Sequence, residues 1–124
     1  MYSLNQVQLI GRAGHEPELY TLTDGTRRCR LRLYQNPSER SAVPSPLVHR
    51  LVAWDDTADR LYAAVRRGDR VFVQGHLNYR KFSWEGQQRD RTEVVVRQFA
   101  VLAPHHVPGA LAVAEPAPNS GQGE

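Results

Sequence analysis

Cysteine occurs once in the 124 residues, at Cys29, so neither an intrachain disulfide nor a multi-cysteine metal site can be built. That scarcity fits a reducing compartment. The opening "MYSLNQVQLIGR" lacks a basic leader and a long apolar run, and no membrane span is evident. A soluble, cytoplasmic protein with no membrane association is expected. Catalytic signatures are missing as well: no glycine-rich loop ends in Lys-Ser/Thr, and no nucleophile elbow is present. His15, His49, His76, His105 and His106 have no spacing that gathers them around a metal. Asp55 and Asp56 precede a helical pattern, where paired carboxylates serve as caps. The expectation is a protein that is not an enzyme and uses no cofactor or metal.

Lysine is nearly absent too. Of the 16 basic residues only Lys81 is a lysine, and all of them fall between Arg12 and Arg97. The last stretch carries Glu115 and Glu124 instead, so the formal +3 is concentrated in the body of the chain. Arginine offers a planar fork that grips phosphate and stacks on bases, although arginine richness also fits a GC-rich genome. The sharpest concentration is "TRRCRLRLYQ", with four arginines in six positions. As a β-strand it puts Cys29, Leu31 and Leu33 on one face and Arg28, Arg30, Arg32 and Tyr34 on the other. Guanidiniums about 6.6 Å apart along a strand repel by about 0.6 kcal/mol per pair even in water. Such a row invites a polyanion. Its competing reading is a solvated face, or ion pairs with carboxylates of a neighbouring subunit.

The remaining pattern gives an order of elements. "NQVQLIGRAG" alternates and then stops at its glycines, "TLTDGTRR" supplies an Asp24-Gly25 hairpin turn into the arginine strand, and "LVHRLVAW" is the third strand. The proline-punctuated "NPSERSAVPSP" between strands two and three reads as a loop. "DDTADRLYAAVRRGDR" changes to helical spacing, with Ala58, Leu61, Tyr62 and Val65 as its apolar stripe, Asp55, Asp56 or Thr57 as N-cap, and Gly68 as stop. "RVFVQGHLNYRKF" and "RTEVVVRQFAVL" are the last two strands, joined through a Gly86 turn. Three strands, a helix and two strands is the order of an OB-fold, an all-β, five-stranded Greek-key barrel. The expected organisation is one domain over residues 1–103 and a disordered tail over 104–124.

Five of these segments, in order across residues 5 to 102, resemble the bacterial single-stranded DNA-binding protein family: "NQVQLIGRAGHEPEL", "DGT", "HRLVAW", "LYAAVRRGDRVFVQGHLNYRKF" and "EGQQRDRTEVVV". The resemblance implies an OB-fold that assembles as a homotetramer, or a dimer, and binds unpaired DNA in replication, recombination or repair. It places Arg50, Trp54, Arg80, Lys81 and Phe82 at contact positions and His49 near subunit contacts. The chain departs from the family's pattern in three respects, as a divergent paralogue would. Val48 stands where the family has tryptophan, Phe82 replaces the larger ring of "RKW", and arginines replace small residues on strand two. Loss of one stacking ring weakens binding by roughly one to two orders of magnitude, which the arginine row can offset. The family's acidic, phenylalanine-terminated tip is replaced by "NSGQGE", so recruitment of replication proteins through it is not expected.

The combined expectation is a sequence-tolerant single-stranded DNA binder. Bases stack on Trp54 and Phe82 while Arg28, Arg30, Arg32, Arg50, Arg80 and Lys81 hold phosphates. Trp84, at a hairpin tip, is either a mobile clamp on DNA or a subunit contact. The alternative is an OB-fold adaptor or primosome-like protein whose faces bind protein partners or RNA.

Overall fold

A computed structural model of the chain describes residues 2–36 and 45–104. The expected tail, His105 and His106, and most of the "NPSERSAVPSP" loop lie outside the described residues. The elements are β1 (Val7–Ala13), β2 (Glu18–Thr21), β3 (Arg27–Gln35), β4 (Leu47–Trp54), α1 (Asp55–Ala64), β5 (Arg70–Trp84) and β6 (Gln87–Ala103). The strands form one sheet in the order β1-β5-β6-β4-β3-β2, closed by a further β1–β3 pairing. The result is an OB-fold barrel in which β4 and β6 run parallel and the other pairs antiparallel.

The sheet has six strands where five are expected: the segment before the Asp24-Gly25 turn forms a short strand of its own, β2, set apart from β1 by "GHEP". Pro17 has no N–H for a ladder, and Gly14 lies under the Tyr34 ring, where any Cβ would collide. The interruption is held in place by Gly14 N–H, which donates to Arg32 O at 2.9 Å. The hairpin into β3 forms as its sequence predicts, with Asp24 Oδ1 accepting the Thr26 N–H at 2.9 Å.

Alternation on β3 and β4 sends Cys29, Leu31, Leu33, Leu51 and Ala53 inward against Val71, Val73, Val94 and Val96. Ala58, Leu61 and Val65 of α1 join that core. Truncating one of the buried leucines to alanine typically costs about 2–5 kcal/mol. Cys29 is fully enclosed, and burial, with a small contribution from Glu18, pushes its thiol up to about 11.

Three features of the helix differ from expectation. Its N-cap is Trp54, with no side-chain cap bond, so Asp55 and Asp56 do not cap it as predicted; they face Arg27. Tyr62 is 49% exposed rather than core, since it flanks the 58/61/65 stripe by one residue. The helix also ends at Ala64, before Gly68, once Val65 turns extended to enter the core.

The last hairpin is longer than its apolar run suggests. Glu85 (φ 51) and Gly86 (φ 75) form a two-residue turn with positive φ at both positions, the geometry that continues a twisted ladder most smoothly. Pairing therefore begins at Trp84–Gln87, and an arm of residues 78–92, mostly exposed, projects from the barrel.

Candidate nucleic-acid interface

The β3–β4 register sets the outward face. Arg28 lies opposite Trp54, Arg30 opposite Val52, Arg32 opposite Arg50 and Tyr34 opposite Val48. On the other side, β2 brings Glu18 opposite Arg30 and Tyr20 opposite Arg28. Val52 is 4% exposed although it points away from the barrel core, because the long side chains of this face cover it.

Each arginine has a distinct setting. Arg27, at the strand's start, donates through Nε to both carboxylate oxygens of Asp59, at 2.8 and 2.9 Å. Asp55 and Asp56 stand 3.9 and 3.6 Å from its guanidinium. It belongs to the strand–helix joint. Arg28 lies between two rings, 5.8 Å from the Tyr20 centroid and 6.0 Å from that of Trp54. Its buried Nε has no hydrogen-bond partner among the described residues. Arg30 sits 5.2 Å over Tyr20 and 3.4 Å from the Glu18 carboxylate. Desolvation raises the Glu18 pKa, but hydrogen bonds from Tyr20 and Arg30 outweigh it and leave the carboxyl below its usual range. Glu18 therefore stays ionised and offsets one charge of the row.

Arg32 and Arg50 form a directly opposed like-charge pair, an arrangement that destabilises an isolated sheet. The Arg32 backbone N–H donates to His15 Nε2 at 3.0 Å, while His15 Nδ1 lies 2.7 Å from Glu16 O, so the neutral ring with its proton on Nδ1 satisfies both contacts.

On the arm, alternation separates the predicted "RKF" residues. Arg80 and Phe82 share a face with Arg91 and Arg89, their cross-strand partners. Lys81 takes the opposite face, paired in register with Asp90, so the structure does not bring it together with Arg80 and Phe82. Trp84 is 57% exposed at the arm's end. The Arg91 guanidinium lies 4.7 Å over the Phe82 ring.

Two clefts connect the arm to the barrel. One, of about 340 Å³, is lined by Arg30, Arg32, Arg50, Arg80 and Arg91 together with His15, Glu18 and Glu93. The other, of about 510 Å³, shares Arg50, Arg91 and Glu93 with it and adds Phe82 and Arg89. Thus Arg28, Arg30, Arg32, Arg50, Trp54, Arg80 and Phe82 occupy one continuous surface. Arg91, Arg89, Tyr20 and His15 are members that reading the sequence missed. For Arg89 and Arg91 a usable signal existed: counting back-paired residues outward from the Glu85-Gly86 turn puts them beside Phe82 and Arg80.

His49, on the inner side of β4 opposite Leu33, bonds through Nε2 to Gln35 Oε1 at 2.8 Å, and burial lowers its pKa. Among the described residues no group of three or more His, Cys, Asp or Glu side chains converges to hold a metal ion.

A closed barrel with a cationic, ring-bearing outer face and a protruding β-arm defines an OB-fold of the class that tracks nucleic-acid strands through guanidiniums and aromatic rings. Residues 4–102 match the model of the single-strand binding protein family. The chain belongs to that family. It is 35% identical over 97 residues to single-stranded DNA-binding protein 1 of Nostoc sp., covering 77% of this chain and 78% of the relative. It is 30% identical over 104 residues to the single-stranded DNA-binding protein of Rickettsia felis, covering 78% and 68%. Among solved structures, a chain of the Plasmodium falciparum SSB complex with ssDNA superposes with a TM-score of 0.71 at 30% identity, covering 82% of this chain and 97% of that one.

Proposed function

We propose that this protein binds single-stranded DNA without sequence preference, in replication, recombination or repair, and does so as a homo-oligomer. The observation that carries the reading is the outward β3–β4 face, where Arg32 and Arg50 oppose one another and Trp54 lies about 13 Å from Arg50 along the same strand. That face suits a polyanion that also offers planar rings. Phosphates meet Arg28, Arg30, Arg32, Arg50 and Arg80, and a base stacks at Trp54, which is 37% exposed beside Arg28. Lys81 and Trp84 make secondary contacts from the arm.

Support for self-association comes from the outer face of β1, β5 and β6. Gln8, Gln74 and Gln98 form one cross-strand row there, and Ile10, Phe72 and Ala100 the next. Six neighbouring uncharged residues, with Ile10 51% exposed, suit contact with a second copy. Light scattering coupled to size exclusion measures the state; a monomer at all concentrations overturns the homo-oligomer.

Titration with a dT oligomer is expected to quench tryptophan emission, lose affinity steeply as salt rises, and exceed binding of a duplex of equal length. No quenching and no salt-sensitive binding at low ionic strength would favour the protein-adaptor reading, and equal or tighter binding of an RNA oligomer would favour RNA.

A further inference from the structure

The smaller cleft gathers two like-charged cross-strand pairs, Arg32 with Arg50 on β3–β4 and Arg80 with Arg91 on the arm. Each opposed pair is unfavourable by itself. The carboxylates lining that cleft are Glu18 and Glu93, and Glu18 already accepts from Tyr20 and Arg30. The cleft therefore keeps a positive remainder that an anion would neutralise. Beside it, one face of the Phe82 ring is covered by Arg91 at 4.7 Å. A base stacking there would first have to displace a guanidinium.

We propose that Arg32, Arg50, Arg80 and Arg91 form one phosphate-chelating site, and that Phe82 is the buttress that orients Arg91 rather than a platform for a base. The ligand class is a pair of neighbouring phosphates. On the single-stranded DNA reading, on which this sharpening rests, they are successive backbone groups, and the cleft is a fixed anchor for the strand. The chemistry suits the arrangement: a guanidinium stacked on a ring keeps its in-plane N–H fork free for bidentate contact with phosphate oxygens. The ring fixes the fork's plane before the ligand arrives, so less side-chain freedom is lost on binding.

Three probes test this on the full chain: inorganic tripolyphosphate, a dT oligomer, and an abasic oligomer of equal length that has the backbone without bases. Tripolyphosphate is expected to displace the dT oligomer and raise the thermal midpoint where sulfate at matched ionic strength does neither. Arg91→Ala should weaken tripolyphosphate binding about tenfold, the loss of one charge-assisted contact. Phe82→Leu should weaken the dT and abasic oligomers by the same factor, roughly threefold. Arg91→Lys, which keeps the charge without the fork, should not restore wild-type tripolyphosphate affinity, and with Phe82→Leu it carries the test should Arg91→Ala fail to fold.

Phe82→Leu weakening dT while leaving the abasic oligomer untouched would make Phe82 a base platform and overturn the proposal. So would tripolyphosphate acting no better than sulfate while dT still binds; the single-stranded DNA reading would then stand alone. Tight tripolyphosphate binding with no dT binding would instead sink that reading and keep the phosphate site.

Discussion

Arg27 and Arg28 are adjacent in the chain and opposite in surroundings. Arg27 meets three aspartates of α1, and its hydrogen bonds with Asp59 raise its pKa. Arg28 meets two rings and no carboxylate among the described residues, while Arg32, four residues further along β3, meets another arginine. The pleat alone produces the contrast, since each step along β3 exchanges the helix side of the barrel for its outward face. Arginine content by itself therefore says little about nucleic-acid binding. What separates a structural arginine from a binding one is whether its charge is already answered within the fold.

The most severe way to break the contrast is to reverse the unanswered side. Arg32→Glu with Arg50→Glu removes two charge-assisted contacts and adds repulsion, so affinity for a dT oligomer should fall about a hundredfold or more at low salt. The thermal midpoint should hold or rise, because an opposed cationic pair is exchanged for an anionic pair in a cleft also lined by Arg30, Arg80 and Arg91. A large drop in the midpoint would show that the pair supports the fold.

Trp54→Ala comes next. Stacking contributes about 1–3 kcal/mol per base, so roughly tenfold weaker binding is expected, with most of the quenching amplitude lost. Retained amplitude would shift the stacking role to Trp84.

Replacing Arg28, Arg30 and Arg32 together by serine should reduce the slope of log affinity against log salt by about two, at roughly 0.7 per phosphate contact on a single strand. An unchanged slope would assign those arginines to subunit contacts.

Arg27→Ala should have the smallest effect on binding and act on stability instead, lowering the thermal midpoint with the salt slope unchanged. Its pH dependence has a definite sign. The Arg27 hydrogen bond, though opposed by desolvation, holds Asp59 below its ordinary 3.8 in the folded state. The stabilisation is thus fully present above that value and is lost as pH falls through the lower folded one. Midpoints of wild type and Arg27→Ala should differ by a constant amount near neutrality and converge in strong acid; a gap that persists there would mean the ion pair is not its source.

Much of this was legible in the sequence for one reason: period-two alternation survives wherever one strand face is buried. "RRCRLRLYQ" and "LVHRLVAW" sit in the register their alternation implies, and the helix stripe at 58, 61 and 65 is the core its spacing implies. The misses arise where a non-local partner decides. Asp55 and Asp56 have the chemistry of caps, yet Arg27, remote in sequence, takes them. Lys81 and Phe82 are adjacent letters of one motif, but adjacency in a strand means opposite faces. Arg89 and Arg91 lie in a stretch without apolar alternation, so only the pairing across a tight turn reveals which way they point.

The lone sulfhydryl offers a practical consequence. Cys29 is walled in on the reverse side of the arginine strand, with its ionisation pushed to about 11 by burial, so a maleimide dye can reach it only while the barrel is breathing. Labelling kinetics with and without an oligonucleotide would thus time the opening of β3 itself, and report whether a bound ligand clamps that strand.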